Sequence, residues 1–388
     1  MIKSYKIKLK PNNKQQTKML QFCGAKRFAY NWALAKQQEN YKNGGKFISD
    51  CELRKEFTKL KSKEECKWLY SISNDVTKQA IKDACTAYKR FFKGQGKFPK
   101  FKSKKSDKPS FYADNIKIKF TNTHVKLENI ATSKKKNKQK LNWIKLSEKN
   151  KIPTDCKYVN PHVVYDGIYW FVCVGIEFEN NKEIPVNDGI GIDLGVKDLA
   201  ICSDGNTYKN INKSHKIKKL EKRKRRLQRR ISKKYLINKK GDSYCKTRNI
   251  IKSEKELLKL NHRLTNIRND YLHKTTSSIV NRKPKFISIE DLNVSGMMKN
   301  KHLSKAIQQQ KLYEFRRQLE YKTRWNDIEL RIVDRHFPSS KLCHECGAIK
   351  KDLKLKDRVY VCEECGNVID RDYNASLNLR DSKIYKIV

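Results

Sequence analysis

Gly189-Ile-Gly-Ile-Asp-Leu-Gly195 is a short apolar run that ends on a carboxylate. Two more acids stand in comparable surroundings. Glu290 closes the run in Phe286-Ile-Ser-Ile-Glu-Asp-Leu292, and Asp372 lies in Asp370-Arg-Asp-Tyr-Asn-Ala-Ser-Leu-Asn378. Asp193 and Glu290 end β-type runs, and Asp372 stands where a helix is expected to open. An unpaired carboxylate among apolar neighbours is costly unless a cation balances it. One Asp at a strand end means little, but three such acids in one chain point to divalent metal. Phosphodiester hydrolysis by two metal ions needs about three carboxylates, holding the ions roughly 3.5–4 Å apart. Asp291 competes with Glu290, although strand alternation puts it on the opposite face. Asp370 competes with Asp372, since either can cap the helix.

The charge says what kind of partner to expect. The 388 residues hold 89 Lys and Arg against 41 Asp and Glu, a net charge of +48. A compact chain this basic repels itself unless a polyanion is bound. No apolar run reaches the ~18 residues of a membrane span. The N-terminus alternates charged and apolar residues and carries no secretory h-region. A nucleic-acid-binding protein of the cytoplasm, close to the nucleoid, is therefore expected, without a membrane partner.

Twelve cysteines divide into two groups. Cys343-x-x-Cys346 and Cys362-x-x-Cys365 are separated by fifteen residues, and each pair runs into a glycine. That spacing places four thiolates around one zinc ion. With all four positions filled, the zinc is structural, and His344 is expected to be an exposed non-ligand. The other eight cysteines show no framework spacing and read as reduced, mostly buried small residues.

Residues 2 to 9 read as a strand. A helical region follows to about residue 92, with Leu20, Cys23, Phe28, Ala29, Trp32 and Ala33 as one apolar face and Val76, Ala80, Ala84, Ala87, Tyr88 and Phe91 as another. From about 104 to 180 the period becomes two, with strands at 116–120, 125–127 and 143–146. Asp166-Gly167 marks a hairpin. This stretch reads as a small antiparallel β-domain, a barrel, with a charged loop at 134–140 and a linker at 180–188. Strands resume at 190–203, joined near 196–198. Two long helices are expected at about 213–236 and 253–280. The second carries a packing stripe of Leu257, Leu260, Leu264, Ile267 and Tyr271. The first has thirteen Lys and Arg and one Glu between Lys213 and Lys234. Solvated helices usually interleave signs, so this face, with Lys222, Arg225, Arg226, Arg229 and Arg230, is expected to meet phosphate. Strands at 286–290 and 328–333 flank a helix at 304–324, and a short helix from about 374 ends the fold.

Taken in order, Gly-Ile-Asp-Leu-Gly, Ile-Glu-Asp-Leu, the two Cys-x-x-Cys-Gly pairs and Asp-x-Asn-Ala-Ser-x-Asn resemble the TnpB family. These are transposon-encoded RNA-guided nucleases related to the type V CRISPR effectors. Arg27-Phe-Ala-Tyr-Asn31, Phe98-Pro-Lys-Phe-Lys-Ser103, His262-Arg263 and Phe337-Pro-Ser-Ser340 add to the likeness, which covers nearly the whole chain. The resemblance implies an α+β multidomain protein. An RNase H-like (RuvC) nuclease domain, 187–340 and 367–388, would be interrupted by a zinc-binding insertion at 341–366. A helical recognition domain, 11–103, and a β-barrel wedge domain, 1–10 and 104–186, would precede it. It also implies catalysis by Asp193, Glu290 and Asp372 with magnesium, a guide RNA and a double-stranded DNA target. A transposase of RNase H fold and a non-catalytic guided repressor are the alternatives.

Overall fold

The computed structural model describes residues 1–131, 140–179, 185–354 and 357–388, leaving aside the Lys240 side chain. The charged run at 134–139 and the first half of the expected linker lie outside the described residues. The chain forms two compact units, Met1–Glu179 and Asn180–Val388.

In the first unit, strand β1 (Ile2–Lys10) leads into helix α1 (Asn13–Lys42). Asn12 caps α1 through a reciprocal pair of hydrogen bonds with Gln15, which satisfies two otherwise orphaned backbone donors. Helices α2 (Asp50–Ser62) and α3 (Asn74–Phe92) follow. The strands β2 (Ser110–Tyr112), β3 (Lys119–Phe120), β4 (His124–Lys126), β5 (Trp143–Leu146), β6 (Tyr158–Tyr165) and β7 (Trp170–Glu177) join β1 in one antiparallel sheet. Its order is β2-β6-β7-β1-β5-β4-β3, and among the described residues no ladder joins β2 to β3. The hairpin at Asp166-Gly167 is present. Asp166 accepts from the Ile168 and Tyr169 amides, and Gly167 has φ +99°. Sheet and helices share one apolar core, from Ile7 and Leu9 through Phe22 and Ala80 to Val172.

The structure departs from several local expectations. Leu20 and Phe28 are exposed, and Met19, Phe22 and Leu34 fill the core instead. Cys23, Ala29 and Ala33 of the expected face stay buried beside them. Ile116 sits on an exposed turn, because Asp114 accepts from the Ile116 and Lys117 amides and breaks the strand there. Cys51 and Cys245 are exposed rather than buried. Asn31 bonds Lys102 through both its amide atoms, at 2.9 and 2.8 Å, so two of the family-like segments meet for a packing reason.

The second unit is built on a six-stranded sheet. Its strands are β8 (Ile190–Leu194), β9 (Asp198–Cys202), β10 (Thr207–Lys209), β13 (Phe286–Glu290), β14 (Glu329–Val333) and β17 (Tyr385–Ile387), in the order β10-β9-β8-β13-β14-β17. β8, β13 and β14 run parallel, and the others are antiparallel to their neighbours. Helix α4 (His215–Ile237) packs on α5 (Arg248–Val280) through Ile217, Leu220, Leu260 and Leu264. The small ribbon β11 (Lys239–Lys240) and β12 (Ser243–Tyr244) joins them. α5 starts at Arg248, capped by the Thr247 side chain, some five residues before its expected start.

A single helix was expected at 304–324. After the short α6 (Val294–Met297), two helices stand there, α7 (Ser304–Gln310) and α8 (Leu312–Trp325). Lys311 breaks them with φ +58°, its ammonium bonded to Asn269, while the Gln310 amide reaches the Gly195 carbonyl at 3.0 Å. Long-range anchors thus override a continuous helical pattern. Strands β15 (Val359–Val361) and β16 (Val368–Asp370) form a hairpin that runs directly into α9 (Arg371–Asp381).

Candidate functional site

The three acids reach one place by two different routes. β8 and β13 are parallel neighbours in register, with Ile192 opposite Ile289. Asp193 and Glu290 are the next residues on each strand, so their carboxylates leave the same end of the sheet on adjacent strands about 4.8 Å apart. Ile192 and Ile289 are fully buried on the other face. The third acid comes from α9, which lies against β8. Gly191 makes that approach feasible, because a Cβ there would overlap the Ser376 carbonyl oxygen and the Arg380 backbone nitrogen. Gly189 likewise lies beneath the Phe286 ring.

Electrostatics records the convergence. Burial pushes the Asp193 carboxyl up to about 7, and the charges of Asp372 and Glu290 push in the same direction. Glu290 is raised by burial and by the neighbouring Asp291. Asp193 therefore carries the signature of a carboxylate that lacks a compensating cation.

The competing acids are assigned other work. Asp291 pairs with Arg316 at 2.7 Å and with Arg335 at 2.5 Å, and these guanidinium groups hold it below the usual carboxylate range. Asp370 is the N-cap of α9, accepting from the Asp372 and Tyr373 amides at 3.0 Å each. The helix begins at Arg371, three residues before its expected start, so Asp372 sits in its first turn. Asp372 is held by Arg371 at 2.7 Å and by Arg358 at 3.5 Å. Neither arginine stood out in the sequence. Arg371 adjoins the acid it binds, whereas Arg358 is brought in by the β15–β16 hairpin, whose register puts Val359 opposite Asp370.

The cysteines form a tighter cluster. The sulfurs of Cys343, Cys346, Cys362 and Cys365 all lie within 4.8 Å of one another. Cys343 and Cys365 are 3.7 Å apart, and Cys346 and Cys362 are 3.5 Å apart. A tetrahedron with Zn–S bonds of about 2.3 Å has edges of about 3.8 Å, so these thiols fit a zinc ion. Gly347 at φ +77° and Gly366 at φ +72° close the two knuckles. The amides of Cys365 and Glu364 pull the Cys362 thiol down to about 7. His344 is only half-buried, and its ring lies 3.8 Å from Asp381. Among the described residues, these thiols are the one set of three or more metal-ligating groups gathered so closely. The carboxylates of Asp193, Glu290 and Asp372 influence one another without being drawn to that distance. Like charges repel, and two arginines already hold Asp372.

On α4, Lys222, Arg225, Arg226, Arg229 and Arg230 are all exposed. Arg230 and Arg223 share Glu256 of α5, at 2.9 and 3.0 Å, so Arg230 is partly neutralised. An open groove of about 790 Å³ runs beside the helix, bordered by Lys216, Lys219, Lys222, Arg226 and, from α5, Arg263. The helical repeat of the charges makes the α4 side of that groove legible, but only the packing of α4 on α5 brings in Arg263.

Together the elements define a two-unit α+β protein with three sheet-end and helix-start acids beside a four-thiol ribbon. Residues 171–301 match a family described as "Probable transposase", 313–379 match "Cas12f1-like, TNB domain", and 1–46 match "Helix-turn-helix domain". The chain is 29% identical over 394 residues to the "Putative RNA-guided DNA endonuclease InsQ" of Escherichia coli, covering 97% of this chain and 91% of that protein. It is also 29% identical to a "Putative RNA-guided DNA endonuclease" of Streptomyces pristinaespiralis, covering 97% and 88%. The fold resembles that of the protein in a Cas12f1–sgRNA–target DNA complex, with a TM-score of 0.60 at 16% identity, over 96% of this chain and 83% of that one. Over nearly its whole length the chain is thus similar to proteins named as RNA-guided DNA endonucleases.

Proposed function

We propose that this chain is a transposon-encoded, RNA-guided endonuclease that cuts double-stranded DNA. Asp193, Glu290 and Asp372 would hold magnesium, about two ions, and the four cysteines one structural zinc. The observation that carries the reading is the convergence on Asp193 of burial with the charges of Glu290 and Asp372. Bound magnesium would supply an activated water and charge stabilisation at the leaving oxygen. The raised carboxyls of Asp193 and Glu290 fit such an ion. On metal binding, Arg371 and Arg358 would release the Asp372 carboxylate, keeping it oriented until then.

The names of the relatives support the guided reading, and the strand order β10-β9-β8-β13-β14 supports an RNase H-like nuclease core. The seven-stranded sheet would serve as the wedge, closing towards a barrel, with α1–α3 as the recognition segment. Base pairing with the guide would read sequence, while the α4 cations would hold the backbone.

Purifying the chain with its associated RNA, sequencing that RNA and presenting a matched plasmid beside a randomised flanking library tests this. Guide-matched, magnesium-dependent cutting that Asp193→Ala abolishes is expected. No cutting anywhere in the library would sink the reading. The "Probable transposase" description keeps one second reading. Joining of element ends to target DNA in a strand-transfer assay would establish it instead. A non-catalytic repressor is disfavoured by the presence of all three acids.

A further inference from the structure

A second cavity lies in the first unit, where α1 and α3 end. It encloses about 660 Å³, within the range of nucleotide and small-molecule sites. The loop after α1 folds back to form one wall. Gln37 and Asn40 tie it there by donating to the carbonyls of Ile48 and Lys46, each at 2.5 Å. The other walls are aromatic. Phe98 meets Tyr88 edge-on at 5.7 Å and Phe91 at 5.2 Å, Tyr88 stacks near Phe92 at 6.1 Å, and Tyr41 faces Phe92 at 6.3 Å.

These rings are not a closed core. Tyr41 is 69% exposed and Phe92 56%, a large uncovered apolar surface for a chain so charged. Deeper in, Tyr88 is 5% exposed and its hydroxyl makes no hydrogen bond of normal geometry, although the Gln38 side chain lies beside it. A buried hydroxyl without a partner costs free energy, so the cavity offers a bond it does not satisfy itself. Lys42 and Lys46 also line it, and among the described residues no acid does.

Apolar aromatic walls, a polar group within and two lining cations suit one ligand class. We propose that this cavity receives an unpaired nucleobase of single-stranded nucleic acid, stacked on Phe92 and Tyr41 and hydrogen-bonded by Tyr88. An apolar protein side chain would leave the Tyr88 hydroxyl unsatisfied and the lysines without a counter-charge. Bases stack on aromatic rings irrespective of sequence, so the site would grip a displaced or unpaired strand without reading it. The inference rests on the nucleic-acid-binding part of the function proposed above.

The test uses the full chain and short single-stranded oligonucleotides, one of DNA and one of RNA, each carrying one 2-aminopurine, with a blunt DNA duplex as reference. Binding should quench the 2-aminopurine, and the arm with the stronger quench identifies the strand. Phe92→Ala and Tyr41→Ala remove exposed rings and should leave the melting temperature unchanged. Each should restore the fluorescence and weaken single-strand binding about five- to hundredfold, with duplex affinity unaltered. Tyr88→Phe, lacking only the hydroxyl, should give a smaller loss. Absence of quenching on both strands, or equal loss for single strand and duplex, would overturn the proposal. So would a change confined to self-association in sedimentation, which would make the rings a contact between two copies. Cleavage is not the readout. A chain that quenches but never cuts defeats the nuclease reading alone, and one that cuts without quenching defeats only this site.

Discussion

Gly191 of β8 lies directly beneath Ser376 of α9, with no room for a Cβ between the strand and the helix backbone. That contact sets how far Asp372, at the start of α9, stands from Asp193, two residues beyond the glycine. Gly191→Ala should therefore push the helix off the sheet. A destabilisation of about 1–3 kcal/mol is expected from overpacking, with cleavage lost and RNA affinity retained. A variant that melts and cuts like the parent would show that the helix position is not fixed by this contact.

Alanine at Asp193, Glu290 or Asp372 should each abolish cleavage and leave nucleic-acid binding nearly intact, since the acids serve metal rather than phosphate. Asp370→Ala should instead cost about 1 kcal/mol of helix stability through the lost cap and keep measurable cleavage. If Asp370→Ala is dead and Asp372→Ala cuts, the assignment of the third acid is reversed.

Asp193 should make the metal-free protein sensitive to pH. Its folded value of about 7 lies above the ordinary unfolded value near 4. The folded state thus keeps a proton that the unfolded chain releases, and stability present below pH 4 is lost as pH rises through 7. In chelator, Asp193→Asn should be more stable than the parent at pH 8, by about 1–4 kcal/mol, and nearly equal to it at pH 4. Thermal melts at the two pH values check this. A gap of the same size at both would exclude titration as its cause.

Metal analysis should find about one zinc per chain. Cys343→Ser/Cys365→Ser should lose it and loosen the ribbon, because structural zinc binding is coupled to folding. Cleavage should fall as well, since the β15–β16 hairpin carries Arg358 and runs straight into the helix of Asp372. Full zinc content in the double variant would contradict the site.

Replacing Lys222, Arg225, Arg226 and Arg229 with Gln should weaken nucleic-acid binding and flatten its salt dependence. Each lost phosphate contact removes about 0.7–0.9 from the slope of log affinity against log salt. The loss should be alike for different matched targets. Arg230→Gln alone should matter less, because Glu256 already pairs with it. An unchanged slope would make the α4 face a solvated one.

The sequence by itself determined the local choices. Apolar periodicity set β8, β13 and α4, cysteine spacing set the knuckles, and one-signed charge set the basic face, because each follows from residues within a turn or two of one another. Tertiary structure decided what depends on partners far along the chain. Leu20 and Phe28 stand exposed while Met19 and Phe22 fill the core that the sheet and helices share. The helix expected at 304–324 broke at Lys311, where Asn269 and Gly195 offer bonds that no local pattern encodes. Asp291 and Asp370 were set apart from Glu290 and Asp372 by Arg316, Arg335 and a helix cap. Carboxylates of one type share the same intrinsic chemistry, and only the neighbours that folding supplies decide what each of them does.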